Sequence, residues 1–357
     1  MTGNRDKNVY ILGAGFSTLA GAPVMDTFID KAKRYAYMSN SPLNEDLTAD
    51  FLAVLDYLEK LSAVRHTIKI DLDNIEELFG ILEMESGIDE KLETTRKQLI
   101  YMIIGTLELS IYDFVTDREG INASKNNYKD FISMIRKSDY KDTIITFNYD
   151  LLFENIVLQY DGTNCNYLIP GIVPGRIKYI KLHGSANWLS CPKCKAEEIK
   201  VADATLGIRR ILELRTAKCN NCGEPKEPLL VPPTWNKSKY QEPIGKLWRH
   251  AIRELSEANR IIIIGYSLPE TDTFFKYLLT VAIHRNKFLE KIIIINKSEE
   301  TKDRYLQFFD DFYIQRNKLL YTGLYFQNFM SGDLSGTAID YITEPVNWIG
   351  DLCNRKV

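Results

Sequence analysis

Long uninterrupted apolar runs are missing from this chain of 357 residues. None approaches the ~18 consecutive residues that read as a membrane-spanning helix, so no membrane association is expected. Cysteine is scarce: six residues are too few for a disulfide scaffold, and four of them fall in two Cys-x-x-Cys pairs, a spacing that points to a metal. No charge sign dominates either. Lys and Arg number 45 against 48 Asp and Glu, a net of −3, which provides no basic field for coating nucleic acid, and direct nucleic-acid binding is not expected. Met1 to Asn8 carry Arg5, Asp6 and Lys7 and lead straight into a short strand, not a secretory h-region. Internal repeats and low-complexity segments are absent as well. What remains is ordinary globular composition, 45% hydrophobic and 26% charged. The expectation is a soluble, cytoplasmic protein with a bound metal. The length suggests one main domain carrying appended modules.

Five segments share a pattern, an apolar β-rich run that ends in Gly, Asn or His. They are Val9–Leu12, Thr143–Phe147, Ile177–Leu182, Arg260–Ile264 and Lys291–Ile295. Near-continuous apolar runs fit strands buried on both faces, the habit of parallel sheets. Parallel strands need crossovers, and helical spacing fills most gaps: Leu47–Val64, Ile75–Met84, Leu92–Tyr112, Lys129–Ile135, Leu151–Tyr160, Lys246–Ser256 and Thr273–His284. The pattern predicts an α/β fold with a doubly wound parallel sheet. Gly323–Phe329 is a candidate late edge strand. Residues from about 24 to 141 are almost wholly helical in pattern and exceed a simple crossover, which predicts an inserted helical module. The two cysteine pairs lie in a stretch, about 189–233, that breaks the strand–helix alternation. From about Ser298 the chain starts as a charged helix and ends in an aromatic-rich tail.

Chemistry collects where the strands end. Gly13-Ala14-Gly15-Phe16-Ser17 follows the first strand, with Ala20-Gly21-Ala22-Pro23 beyond it. Closely spaced glycines there let backbone N–H groups approach a pyrophosphate; the other reading is a tight turn that binds nothing. The spacing departs from the common dinucleotide fingerprint, since Gly21 lies six residues after Gly15 instead of three. Asn148 and Asp150 end the second strand. Asn148 is suited to holding a ribose hydroxyl or a water, while Asp150 either fixes Asn148 or caps the next helix. His183, in Lys181-Leu182-His183-Gly184-Ser185, ends the third strand and can accept a proton near neutral pH. A lone histidine is more often structural; the Gly-Ser that follows and the shared sheet edge favour catalysis here. His66, His250 and His284 lie on helical patterns and receive no role. Gly265-Tyr266-Ser267-Leu268 and Asn296-Lys297-Ser298 follow Ile-rich strands and can line the adenosine side of a nucleotide crevice, or serve as plain strand–loop chemistry.

The cysteine pairs are Cys191/Cys194 and Cys219/Cys222, with 24 residues between them and Gly223 following the second. Two knuckles of this kind match a closed tetrahedral thiolate zinc site; a redox dithiol or free thiols are the rivals. With all four positions cysteine, such a zinc is structural. Cys165 and Cys353 are left over.

Taken together, these residues resemble the sirtuin-like family of NAD-consuming enzymes. Gly-Ala-Gly-x-Ser, Ala-Gly-x-Pro, Asn-x-Asp, Leu-His-Gly-Ser, Cys-x-x-Cys, Gly-x-Ser and a final strand-end Asn occur in the family's order over residues 9 to about 298. The resemblance implies a Rossmann-like sheet with an inserted helical module and a small four-cysteine zinc ribbon. It also implies a catalytic domain spanning 1–298 and a C-terminal extension, 299–357, available for oligomerisation. Gly13, Ala14, Gly15 and Ser17 would cradle NAD phosphates, and Asn148 and Asp150 would sit near the nicotinamide and its ribose. His183 would be the base; Gly265, Ser267 and Asn296 would hold the adenosine half; Zn2+ would be structural. Where protein-deacylating sirtuins carry Asp-Phe-Arg after Ala-Gly-x-Pro, this chain has Val24-Met25-Asp26, and Asp26 is counted with the NAD-binding positions. The acyl-lysine groove segment is replaced by Leu229-Leu230-Val231-Pro232-Pro233-Thr234-Trp235. These departures, with Asn74-Ile75-Glu76-Glu77-Leu78-Phe79 and Gly-Tyr-Ser-Leu-Pro-Glu-Thr-Asp, look like the bacterial antiphage-defence branch, whose members hydrolyse NAD. That resemblance implies a homo-oligomer or a separately encoded partner, a HerA-type ATPase or an Argonaute-like protein. A protein deacylase and a non-catalytic NAD or ADP-ribose sensor are the alternative functions.

Overall fold

The computed structural model describes residues 7–63, 71–117, 124–138, 141–169, 173–194, 199–232, 241–270, 272–309 and 318–331. After β1 (Asn8–Leu12) come α1 (Ala14–Ser17), α2 (Met25–Tyr37), α3 (Glu45–Ser62), α4 (Ile75–Ser86), α5 (Leu92–Thr116) and α6 (Lys125–Lys137). The middle of the chain holds β2 (Thr143–Thr146), α7 (Leu152–Asp161), β3 (Lys178–Lys181), β4 (Gly184–Ser190), β5 (Lys200–Val201), α8 (Ile208–Thr216) and β6 (Glu227–Leu230). The rest is α9 (Gln241–Ser256), β7 (Arg260–Ile264), α10 (Thr273–Arg285), β8 (Lys291–Ile295), α11 (Glu299–Phe308), β9 (Leu319–Thr322) and α12 (Phe326–Ser331). Several helices start where a polar side chain takes over an orphan N–H. Asn44 accepts from Leu47, Asn74 from Glu76, Asp272 from Phe275 and Ser298 from Thr301.

Six strands form one sheet in the order β3-β2-β1-β7-β8-β9, every pairing parallel. The chain moves outward from β1 to β3, then restarts beside β1 and moves outward again. This is the doubly wound α/β class expected from the sequence, with its switch point between β1 and β7. Successive residues explain the apolar runs. Val9, Ile11, Ile145, Ile261 and Ile263 pack toward α9, α10 and α11, while Tyr10, Leu12, Ile144, Ile262 and Ile264 pack toward α6, α7 and α12. Both faces are covered, so no alternation survives in the sequence.

A third core lies among α2, α3, α4 and α5 and takes in Ala186 of β4, Ile211 of α8 and Leu230 of β6. The helices and the cysteine-bearing stretch therefore share one interior. Charged groups bind them further: Arg96 of α5 reaches Glu227 of β6 at 3.2 Å, Arg210 of α8 pairs with Glu108 of α5, and Arg215 of α8 pairs with Asp50 of α3. Burial pulls the Arg210 guanidinium down to about 10.

One sequence expectation needs correction. The late edge strand is Leu319–Thr322, not Gly323–Phe329, whose second half is helix α12. Aromatic side chains in the later segment bury on the α6 side of the sheet, where Phe326 packs against Phe16 and Tyr128. The residues after His183 form β4, which pairs antiparallel with β5 and β6 in a second, three-stranded sheet. Finally, α5 is long and apolar enough by length and composition to cross a bilayer, at 25 residues, yet 61% of its apolar window is buried inside the protein, as befits a central helix. His66, Cys353 and Pro233 to Lys237 lie outside the described residues.

Candidate functional site

All five strand-end motifs belong to the same six-stranded parallel sheet, so its C-terminal edge gathers them. At the switch point two glycine loops meet backbone to backbone. The Gly13 N–H donates to the Ile264 carbonyl and the Gly15 N–H to the Gly265 carbonyl, both at 2.9 Å. Gly265 adopts φ +63, and a Cβ on it would lie 2.5 Å from the backbone of Gly15 and Phe16. Only glycine fits there.

Asn148 hangs across this turn. Its Nδ2 donates to the Gly13 carbonyl at 2.9 Å and to Ser17 Oγ at 3.3 Å. Ser17 in turn donates to Asp150 Oδ2 at 3.0 Å, and Asp150 Oδ1 accepts the Leu152 N–H at 3.0 Å. Asp150 therefore links to Asn148 through Ser17 and takes the first N–H of α7, whose N-cap position, Leu151, has no side-chain cap bond. Below the loop, fully buried Lys181 donates from Nζ to the Asp150 carbonyl at 2.6 Å and to Glu154 Oε1 at 2.8 Å. Burial raises the Glu154 carboxyl even though the Lys181 charge pulls it down.

His183 is 3% exposed and joins the group through rings. Phe147 meets it edge-on at 5.0 Å, and the Tyr149 ring lies tilted by 34° at 6.3 Å, so the two side chains flanking Asn148 both lie against it. Its carbonyl accepts the Val231 N–H at 2.8 Å, and the Val231 carbonyl accepts the Tyr149 hydroxyl at 2.8 Å. The residue just past β6 thus ties the histidine strand to the Asn148 loop. Sequence reasoning gave Asp272 no role. Its Oδ2 lies 3.7 Å from His183 Nε2 and accepts the Tyr266 hydroxyl at 2.7 Å. Burial, then the Asp272 charge, pushes the Tyr266 phenol well above its ordinary value. The available signal was Asp272 as the cap of α10.

The remaining positions stand apart from this cluster. Ala14 is half-buried in the glycine turn. Ser267 follows β7, where its carbonyl accepts from Arg304 Nε at 3.0 Å. Asn296 follows β8, and its Oδ1 accepts the Ser298 N–H at 3.0 Å, a local turn. Asp26 is exposed in the first turn of α2, with no bond to the other named residues.

The four cysteines converge although 24 residues separate the pairs. Their sulfurs all lie within 4.8 Å of one another, with Cys191–Cys222 and Cys194–Cys219 each at 3.5 Å. A tetrahedral zinc with Zn–S of about 2.3 Å requires sulfur spacings near 3.8 Å, so the donor set fits a closed thiolate site. Backbone N–H groups of Cys222 and Asn221 hold the Cys219 thiol down to about 6. Cys165 is a buried thiol, pushed well above its usual value by that burial.

No family model matches the chain, and no curated protein does. Among solved structures it is similar to a sirtuin solved for its substrate affinity, at 15% identity over 94% of this chain and 92% of that one, with a TM-score of 0.43. It is also similar to Sir2 with a p53 peptide and NAD+, at 15% identity over 90% and 89% of the two chains and a TM-score of 0.40. A mutant Sir2 homologue in complex with ADP ribose is 16% identical over 98% and 94%, with a TM-score of 0.38.

Proposed function

We propose that this chain is an NAD+ glycohydrolase that cleaves the nicotinamide–ribose bond and serves bacterial antiphage defence by depleting NAD+. The observation that carries this reading is the relay Asn148–Ser17–Asp150 beside His183 at the switch point of the sheet, the place where doubly wound folds bind nucleotides. In this reading Gly13, Ala14, Gly15 and Ser17 line the pyrophosphate side, Gly265, Ser267 and Asn296 line the adenosine side, and Asp26 is counted with the NAD-binding positions.

The chemistry follows from the side chains. Loss of nicotinamide passes through an oxocarbenium-like state, as in glycoside cleavage. Both side-chain bonds of Asn148 use Nδ2, which leaves Oδ1 as the acceptor for a water or a ribose hydroxyl. Water adds to the anomeric carbon as nicotinamide leaves with the bonding pair, and His183 takes the proton that the water loses. The products are ADP-ribose and nicotinamide. Zinc, held by Cys191, Cys194, Cys219 and Cys222, would supply structure alone, because four thiolates leave no open position. The same proposal includes homo-oligomerisation through residues 299–357 and a separately encoded partner, a HerA-type ATPase or an Argonaute-like protein, as the gate.

The complete cysteine cluster favours a second reading, an NAD-dependent protein deacylase. One experiment separates the two. The purified chain, with and without the neighbouring gene's product, is given NAD+ and an acetylated peptide. Hydrolysis without peptide, lost in Asn148→Ala and His183→Ala, supports the glycohydrolase. Intact NAD+ under every condition, with His183-dependent deacetylation of the peptide, overturns it.

A further inference from the structure

The strand-end residues leave one feature of the site unused: a buried carboxylate set against the histidine. Asp272 is 1% exposed, and burying a carboxylate is costly unless its oxygens are occupied. They are. Oδ1 accepts the Phe275 N–H at 3.3 Å at the start of α10, and Oδ2 accepts the Tyr266 hydroxyl at 2.7 Å. These two bonds stabilise the anion and fix where its charge sits. The same Oδ2 lies 3.7 Å from His183 Nε2, beyond hydrogen-bond range but within the distance at which one charge acts strongly on another.

Aromatic rings shield the pair. Phe147 packs against His183 at 5.0 Å, against Tyr266 at 4.9 Å and against Phe275 at 5.2 Å. Displacing water lowers the local dielectric and strengthens the interaction. We propose that Asp272 is the positioning residue of His183. It holds the Nε2 side of the ring toward the carboxylate, and it stabilises the imidazolium formed in the reaction. This rests on the reading of His183 as the site's base.

Other ionisable groups facing the pair come from three elements. Tyr149 lies after β2, and Tyr266 lies after β7, where its carbonyl accepts from Tyr305 of α11 at 3.1 Å. Glu76, in the first turn of α4, also acts by charge on the Tyr266 phenol, behind Asp272 and Tyr305 in strength. The Tyr266 phenol stays neutral near neutral pH, so the Asp272 carboxylate is the charge set against the histidine.

The test uses the whole chain. Asp272→Asn keeps a side chain able to cap α10 and to bond Tyr266 while deleting the charge. The His183 ring is followed by proton NMR against pH and assigned with His183→Gln. The expected result is a fall of about one pH unit in the His183 midpoint and a midpoint near wild type in Asp272→Glu. In steady-state NAD+ cleavage, the acidic limb of the pH profile should move with the midpoint. If Asp272→Asn fails to fold, Asp272→Ser, also a good cap, reports the same quantity. An unchanged midpoint overturns the proposal. Absence of NAD+ cleavage in the wild type overturns the proposed function instead, and the NMR readout still decides the pairing.

Discussion

Gly13 and Tyr266 touch through their backbones: a Cβ on Gly13 would lie 2.4 Å from the Tyr266 Cα. Backbone on both sides cannot yield without parting the loops that follow β1 and β7. Gly13→Ala should therefore destabilise the protein by about 3 kcal/mol, the upper end for overpacking, as measured by urea unfolding. Gly162→Ala is the comparison. Gly162 has φ +69 with nothing within 4 Å of the added carbon, so it should cost only the conformational strain of about 1–2 kcal/mol. Equal costs at the two positions would mean that the loop contact contributes nothing.

Ser17 is the middle of the relay that holds Asn148. Ser17→Ala removes the link to Asp150 and should lower kcat for NAD+ cleavage about a hundredfold through misplacement of Asn148. It should act through that residue, so adding it to Asn148→Ala should cause little further loss. Independent, multiplying losses in the double variant would show that Ser17 acts elsewhere.

The strand ends were legible because each sits after an apolar run that buries on both sheet faces, and such runs stand out in a sequence. Asn148, His183 and Gly13 could be found that way. Asp272 could not, because it caps a helix and its tie to His183 depends on how α10 packs beside β7. The second sheet was hidden for a related reason. Gly184 to Ser190 carries Ser, Asn and Gly and lacks the long apolar run of the other strands, yet Gly184 at φ +82 packs so tightly that a Cβ would fall 2.0 Å from the Leu229 carbonyl oxygen. Pairing with β6, more than 35 residues away, decides that segment. The edge strand was misplaced because two short apolar stretches adjoin, and periodicity cannot choose between them.

Lys181 and Glu154 form a buried ion pair beneath the Asn148 loop. Lys181→Met should cost about 3–5 kcal/mol, because Glu154 is left buried without its counter-charge. Combining it with Glu154→Leu should recover most of that stability. Activity should not return with it, since the Asp150 carbonyl still lacks the Nζ that holds it. Thermal unfolding and NAD+ turnover on the same samples test both halves.

The cysteine cluster should hold one zinc per chain by elemental analysis, and Cys219→Ser should lose it. Metal removal should lower Tm and also weaken the site, because β6 leads from the second cysteine pair to Val231, which bonds both His183 and Tyr149. Limited proteolysis should then report loosening of α5 as well, since Arg96 anchors to Glu227. A metal-free protein with wild-type Tm would contradict the assignment.

Acid sensitivity should trace to the opposite side of the sheet. Burial of Glu254 disfavours its charge, but Lys7 at 3.0 Å and Lys178 at 2.9 Å, with the Thr143 hydroxyl, outweigh burial and hold its carboxyl at about 2. A carboxylate depressed in the folded state from an ordinary 4.5 contributes its stability above the unfolded value and loses it as pH falls through the folded one. The contribution is about 3 kcal/mol, present above roughly pH 5 and gone below roughly pH 2. Glu254→Gln should be less stable at pH 7, since Lys178 loses its carboxylate and Lys7 is left with Glu257 alone. Its stability should also fall less steeply than wild type between pH 5 and pH 2 in urea titrations. Parallel pH profiles for the two proteins would place the acid-sensitive group elsewhere.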